Sequence, residues 1–234
     1  MPGKLLSKFL SIELIAIFFQ ILGYQDSSHF RNYGFSPGNY YEFGTGGGNS
    51  LRIYLQSLHF FKKVTRSKIR DYRLFLFDSF EGLPEFQSEK DVNPSFHPGQ
   101  FAGSSDLIAN IANHNGFKDE SKITLVKGWY ESSLTGELRE RIAEHPPSIV
   151  NIDVDYYSSA LTILKWIEPI LQNGTVFYFD DIWDYFENPS YGELAAIREF
   201  NSFSRGSLVP YHGIYLSRGR VYIFSRKTLC DPGQ

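Results

Sequence analysis

The sequence predicts an α/β fold: a Rossmann-like, doubly wound, mostly parallel seven-stranded sheet with a C-terminal antiparallel hairpin. Three observations predict it. Short apolar or aromatic runs alternate with stretches of helical apolar spacing, the first run ends in the glycine cluster Gly44-Thr45-Gly46-Gly47-Gly48, and the last two runs are joined by a turn too short for a crossover. The length of 234 residues suits one domain that buries a core without disulfides, and 21 Phe, 15 Tyr and 3 Trp supply apolar bulk for it.

Residues 1–38 are expected to form a helical N-terminal arm or lid, and residues 39–230 the main domain. Within the arm, Lys4 to Leu22 imitates a secretory signal, but Glu13 and Gln20 interrupt the apolar run and no small-x-small cleavage site follows. The uninterrupted stretch is shorter than the roughly 18 to 20 residues a membrane span requires. A helix covering a pocket or a partner subunit is expected instead. After Ser36-Pro37-Gly38 breaks the chain, 39–43 reads as a strand, and Leu51, Tyr54, Leu55 and Leu58 mark a helix over 51–64. Strands at 73–77, 123–126, 148–152 and 175–179 then alternate with helices at 104–114, 134–143 and 158–171. A helix at 192–203 precedes two antiparallel strands, 208–216 and 220–224, joined at Ser217-Arg218-Gly219. The loop 79–103 is the longest irregular piece, and loops of that length usually cover a site or are mobile.

Charge excludes some partners. With 23 Lys and Arg against 26 Asp and Glu and no long block of one sign, the chain lacks the footprint that nucleic acid or an anionic membrane requires. Cys230 is the single cysteine, so no internal bridge and no Cys/His zinc set exist, and a reducing, cytoplasmic setting is expected. The basic run Lys62, Lys63, Arg66, Lys68 and Arg70 reads as a solvated face.

The glycine turn admits several readings. A phosphate-binding P-loop requires Gly-Lys-Ser/Thr, and Asn49-Ser50-Leu51 has no lysine; a G-x-G-x-x-G dinucleotide fingerprint requires glycine where Asn49 stands. What remains is E-x-G-x-G-x-G, from Glu42 through Gly44, Gly46 and Gly48, or a purely structural turn beside a surface aspartate.

A second constellation is Asp153-Val154-Asp155 after the fourth strand and Asp180-Asp181 after the fifth. One crossover unit separates them, so both strand ends emerge at the same sheet edge, about 4.8 Å apart. Crowded carboxylates repel and call for a cation, and an all-oxygen set suits Mg²⁺, Ca²⁺ or Mn²⁺. Taken singly, each fits an ordinary loop or N-cap aspartate, Asp155 directly preceding a helix. Asp153-Val154-Asp155 also fits the D-x-D metal site of a glycosyltransferase, a reading that leaves the glycine turn unexplained.

The glycine spacing resembles motif I of the class I S-adenosylmethionine-dependent methyltransferases. Four segments resemble a narrower group, the macrocin O-methyltransferase family of metal-dependent sugar O-methyltransferases: Tyr41-Glu42-Phe43-Gly44; Asp78-Ser79-Phe80-Glu81-Gly82-Leu83-Pro84; Gly128-Trp129-Tyr130 with Ser133-Leu134; and Asp153 to Ser159 followed by Asp180-Asp181. The resemblance implies that Glu42, Gly44, Thr45, Gly46, Ser50, Asp78 and Ser79 lie along S-adenosylmethionine, with Phe80 and Trp129 near its adenine. Asp78 would bind the ribose, a carboxylate being able to accept two hydrogen bonds from a vicinal diol. Asp153, Asp180 and Asp181 would bind Mg²⁺, and Asp155 would be the general base. The acceptor would be a small-molecule sugar, with a non-sugar diol such as a catechol as the alternative. The aromatic arm is a candidate lid or homodimer contact, and His97, Pro98 and His212 are weaker candidates for touching substrate.

Overall fold

A computed structural model of the chain describes residues 2–67, 69, 71–212 and 219–227, the side chains of 2–12, 29 and 31 excepted. The strands are β1 (Asn39–Phe43), β2 (Arg73–Asp78), β3 (Ile123–Lys127), β4 (Ile149–Ile152), β5 (Val176–Phe179), β6 (Gly206–Pro210) and β7 (Arg220–Arg226). They form one sheet in the order β3-β2-β1-β4-β5-β7-β6. The first five are parallel; β7 runs antiparallel to both β5 and β6. Strand order therefore reverses between β1 and β4, the place where open α/β sheets bind ligands at their carboxyl edge.

Alternation along the buried strands builds two cores. Tyr41, Phe43, Phe75, Phe77, Val150, Ile152, Phe177 and Phe179 point to one face, covered by α6 (Gly136–Ile142), α7 (Tyr157–Ile167) and α8 (Gly192–Phe203). Tyr40, Leu74, Leu76, Ile149, Val176 and Tyr178 point to the other, covered by α1 (Pro2–Gln25), α3 (Asn49–Val64) and α4 (Ser105–His114). Two short helices complete the set, α2 (Ser28–Asn32) and α5 (Tyr130–Ser133).

Helix α1 is part of the second core. Its Leu14, Ile17, Phe18, Ile21 and Leu22 are buried, Phe18 meets Tyr40 and Tyr54 edge to face, and Gln25 Nε2 donates to the Ser148 carbonyl at 2.7 Å. Among the described residues no helix is long and apolar enough to cross a membrane.

Three predicted elements differ in extent. The helix expected over 134–143 begins at Gly136, because Thr135 caps it by accepting from the Leu138 N–H at 3.1 Å, and α5 forms separately before it. The helix expected to reach residue 171 ends at Ile167 and tightens into a 3₁₀ turn over Glu168–Ile170, where Pro169 interrupts the α pattern. The strand expected over 208–216 begins two residues earlier and ends at Pro210; residues 213–216 and the predicted turn residues Ser217 and Arg218 lie outside the described residues.

Candidate active site at the carboxyl edge of the sheet

The carboxyl ends of the parallel strands open into a cleft of about 420 Å³. Backbone hydrogen bonds bring its walls together: Gly44 N–H to Phe77 O at 3.0 Å, Asp153 N–H to Phe43 O at 3.0 Å, Asp180 N–H to Ile152 O at 3.1 Å and Gly128 N–H to Asp78 O at 2.9 Å. Gly44 is compelled by this closeness. It has φ of +83°, and a Cβ there would lie 1.7 Å from the Asp153 carbonyl oxygen.

Asp78 ties the glycine turn to β2. One carboxylate oxygen accepts from the Gly46 N–H at 2.8 Å and the Thr45 hydroxyl at 3.4 Å; the other accepts from the Phe80 N–H at 2.6 Å. The turn is thus held open with Gly46, Gly47 and Ser50 facing the cleft. Helix α3 starts here at Asn49 without any side-chain cap, so its first amides also face this end of the site.

The acids after β4 and β5 converge. Asp153, Asp180 and Asp181 each place one carboxylate oxygen within 4.8 Å of the others, and Asp155, Asp181 and Asp184 form an overlapping trio. Asp155 adopts a left-handed backbone at φ of +58°, and its N–H donates to Asp181 Oδ2 at 3.0 Å. It is not the cap of α7: Tyr156 occupies that position and supplies no side-chain bond. Burial, and then the charges of Asp180 and Asp155, push the Asp153 carboxyl well above its usual range. Asp181 is pushed the same way by burial, then by Asp155 and Asp153. Glu193, 1% exposed, accepts from the Asp181 N–H at 3.2 Å, and burial raises it too. The Tyr178 hydroxyl donates to Asp180 at 2.5 Å.

Of the residues singled out in the sequence, Gly44, Thr45, Gly46, Ser50, Asp78, Ser79, Trp129, Asp153, Asp155, Asp180 and Asp181 all line this one cleft. Glu42 and Phe80 do not. Glu42 is fully buried in β1 and accepts from the Tyr40 hydroxyl at 2.8 Å, while Phe80 is buried in the core beneath α3. His97 and His212 are exposed and outside the cleft. Sequence reading missed Glu13 and Leu14 of α1, Tyr178, Asp184 and Glu193. Tyr178 was within reach, since it stands two residues before Asp180 and shares its face of the strand. Glu13 was noted only as an interruption of an apolar run. Among the described residues the lining holds seven carboxylates, Glu13, Asp78, Glu131, Asp153, Asp155, Asp180 and Asp181, and no Lys, Arg or His.

Comparison with known proteins places the fold and the family. The calicheamicin methyltransferase CalS11 superimposes with a TM-score of 0.62 at 20% identity, over 83% of this chain and 75% of that one. The O-methyltransferase NovP does so with 0.63 at 20% identity, over 92% and 81%. The apo form of CalS11, described as a TDP-rhamnose 3'-O-methyltransferase, gives 0.52 at 19% identity over 83% and 75%. These likenesses establish the Rossmann-like methyltransferase fold. No curated protein sequence matches the chain. The sequence profile of the macrocin O-methyltransferase family (TylF) matches residues 36–200, from the break before β1 into α8. The chain therefore belongs to the macrocin O-methyltransferase family.

Proposed function

We propose that the protein is an S-adenosylmethionine- and Mg²⁺-dependent O-methyltransferase acting on a hydroxyl of a sugar or glycosylated small molecule. The observation that carries this reading is the charge of the cleft: seven carboxylates and no basic side chain among the described residues. Such a lining favours cationic ligands, and a sulfonium donor together with a divalent cation supplies them. A glycosyltransferase reading gives no role to the glycine turn, which lines the same cleft through Gly44, Gly46 and Gly47.

The residues fit both groups. Gly44, Thr45, Gly46 and Ser50 would lie along the donor, Asp78 and Ser79 at its ribose, and Trp129 by its adenine; the donor supplies an electrophilic methyl group. Glu42 acts from below, by fixing β1 through Tyr40, and Phe80 by placing the Asp78 loop. Asp153, Asp180 and Asp181 are an all-oxygen set, two of them raised by burial and then by neighbouring carboxylates, and would hold Mg²⁺, which lowers the pKa of a bound hydroxyl. Asp155, held by its own N–H on Asp181, would accept the proton of the acceptor hydroxyl as general base. A sugar acceptor agrees with CalS11, a TDP-rhamnose 3'-O-methyltransferase. The single cysteine suits a cytoplasmic setting.

Methyl transfer to a panel of nucleotide sugars, glycosides and catechols tests the reading. Activity should be lost in EDTA and in Asp153→Ala and return to the wild type with Mg²⁺, and calorimetric affinity for S-adenosylhomocysteine should persist throughout. Full turnover in EDTA overturns the metal role. Asp155→Asn should lower kcat by at least about a hundredfold with cofactor affinity within about twofold; a near-normal kcat removes it as the base.

A further inference from the structure

Asp91 lies in the middle of the long loop 79–103, is 0% exposed, and is absent from both acidic trios of the cleft. Its Oδ2 accepts from the Ser88 N–H at 2.8 Å and the Gln87 N–H at 3.0 Å, the ordinary work of a capping box on the short turn Glu89–Asp91. Its Oδ1 does something not local: it accepts from the N–H of Ser158, in the first turn of α7, at 2.8 Å. That helix has no side-chain cap of its own. A carboxylate from a distant loop therefore supplies the acceptor, and the negative charge, that the N-terminus of α7 lacks.

The contact is reinforced on all sides. The Tyr185 hydroxyl donates to the Asp91 carbonyl at 2.7 Å, and Asn93 Nδ2 donates to the Asp184 carbonyl at 2.8 Å. Phe86 and Phe96 of the same loop pack on Tyr156 with ring centroids 5.2 and 5.9 Å away. The loop thus grips both segments that carry the acids: Tyr156 to Ser158 directly after Asp155, and the turn Ile182–Tyr185 directly after Asp181. Between these grips Asp155 keeps its left-handed backbone, a conformation that persists only where the surroundings over-determine it. The same loop lines the cleft with Gly82, Leu83, Pro84, Gln100, Phe101 and Ala102.

We infer that Asp91 is a positioning residue: by capping α7 from the loop, it couples the docked state of loop 79–103 to the placement of Asp155. The inference rests on Asp155 being the general base. Its physical part, a loop clamped onto α7 by one buried carboxylate, stands without that role. Asparagine at 91 retains one acceptor oxygen and replaces the other by an amide that cannot accept from Ser88 and Gln87 or, if flipped, from Ser158.

Hydrogen exchange and steady-state kinetics on the full chain with S-adenosylhomocysteine or S-adenosylmethionine test this. In Asp91→Asn, exchange should rise at least tenfold in peptides spanning 85–101 and 154–160, and kcat should fall at least tenfold. The KM for S-adenosylmethionine and the affinity for S-adenosylhomocysteine should stay within twofold, a split that general unfolding would not produce. Unchanged exchange overturns the proposal, as does raised exchange with kcat intact. Should Asp91→Asn fail to fold, Asn93→Ala decides: it frees the loop from the Asp184 carbonyl and should raise exchange in 85–101 with a kcat loss of threefold or more, and neither effect appearing overturns the clamp. A wild-type protein that methylates no acceptor sinks the functional reading instead, and the exchange arm still tests the contact.

Discussion

Glu42 offers a prediction whose sign and size both follow from its surroundings. The side chain is wholly buried in the central strand, with one oxygen accepting from the Tyr40 hydroxyl. Burial is the largest influence and raises its pKa from 4.5 to about 8, against the lowering effect of the Tyr40 hydrogen bond and with a further push from Asp78. The unfolded chain releases this proton near pH 4.5, whereas the folded chain keeps it to about pH 8. Between those values the folded state holds more protons, so stability is complete at low pH and falls as pH rises, by about 1.4 kcal/mol per pH unit for one proton. From pH 5 to 7 that is on the order of 2 to 3 kcal/mol by the same relation. Glu42→Gln preserves an acceptor for Tyr40 and cannot ionise, so its contribution is flat. Asp181 and Glu193 are raised too but do not feel Glu42, and Asp153 feels it least among its neighbours, so most of their contribution is common to both proteins. Urea unfolding followed by tryptophan fluorescence at pH 5, 6 and 7 should show the wild type losing on the order of 2 to 3 kcal/mol more than the variant across that range. Parallel curves would refute a protonated, buried Glu42.

Two further predictions concern packing. Gly44→Ala should cost at least about 2 kcal/mol, because alanine is strained at φ of +83° and its Cβ would force β1 from the Asp153 carbonyl, whereas Gly47→Ala, with nothing within 4 Å of the new Cβ, should stay within about 0.5 kcal/mol. Urea midpoints compare the pair, and equal losses would discount the strand contact. Phe18→Ala should destabilise by about 3 to 5 kcal/mol as a fully buried aromatic lost between Tyr40 and Tyr54; a loss under about 1 kcal/mol would mean that α1 is undocked in solution.

Much of the site was legible because parallel strands announce themselves twice. The apolar runs 73–77 and 175–179 gave the strands, and the residues that follow each run, Asp78 and Asp180-Asp181, had to share an edge once the strands were parallel. What stayed hidden depends on contacts far apart in sequence. Asp91 is one acid in an irregular loop, and nothing near it says that Ser158 lies 2.8 Å from its carboxylate. Glu13 read as a flaw in an apolar helix, and only the docking of α1 on α3 turns it toward the cleft. The start of the first hairpin strand was misjudged for a different reason: Gly206 and Ser207 carry no apolar signal, yet they pair with Arg226 and Ser225 through the backbone.

The acidity of the cleft and the strain at Asp155 have one origin in the fold. Reversal of strand order between β1 and β4 sends the helices that follow them, α3 and α7, to opposite faces of the sheet and leaves a gap above the strand ends, and Gly44 keeps β1 from filling it. The acids after β4 and β5 then crowd one rim, where the described lining holds no basic residue, a charge distribution that costs stability and that a cation would offset. Asp155 is held among them through its backbone: its N–H is on Asp181, and the helix that follows is capped by Asp91. In the proposed reaction this backbone hold would fix the carboxylate that takes the proton of the acceptor hydroxyl.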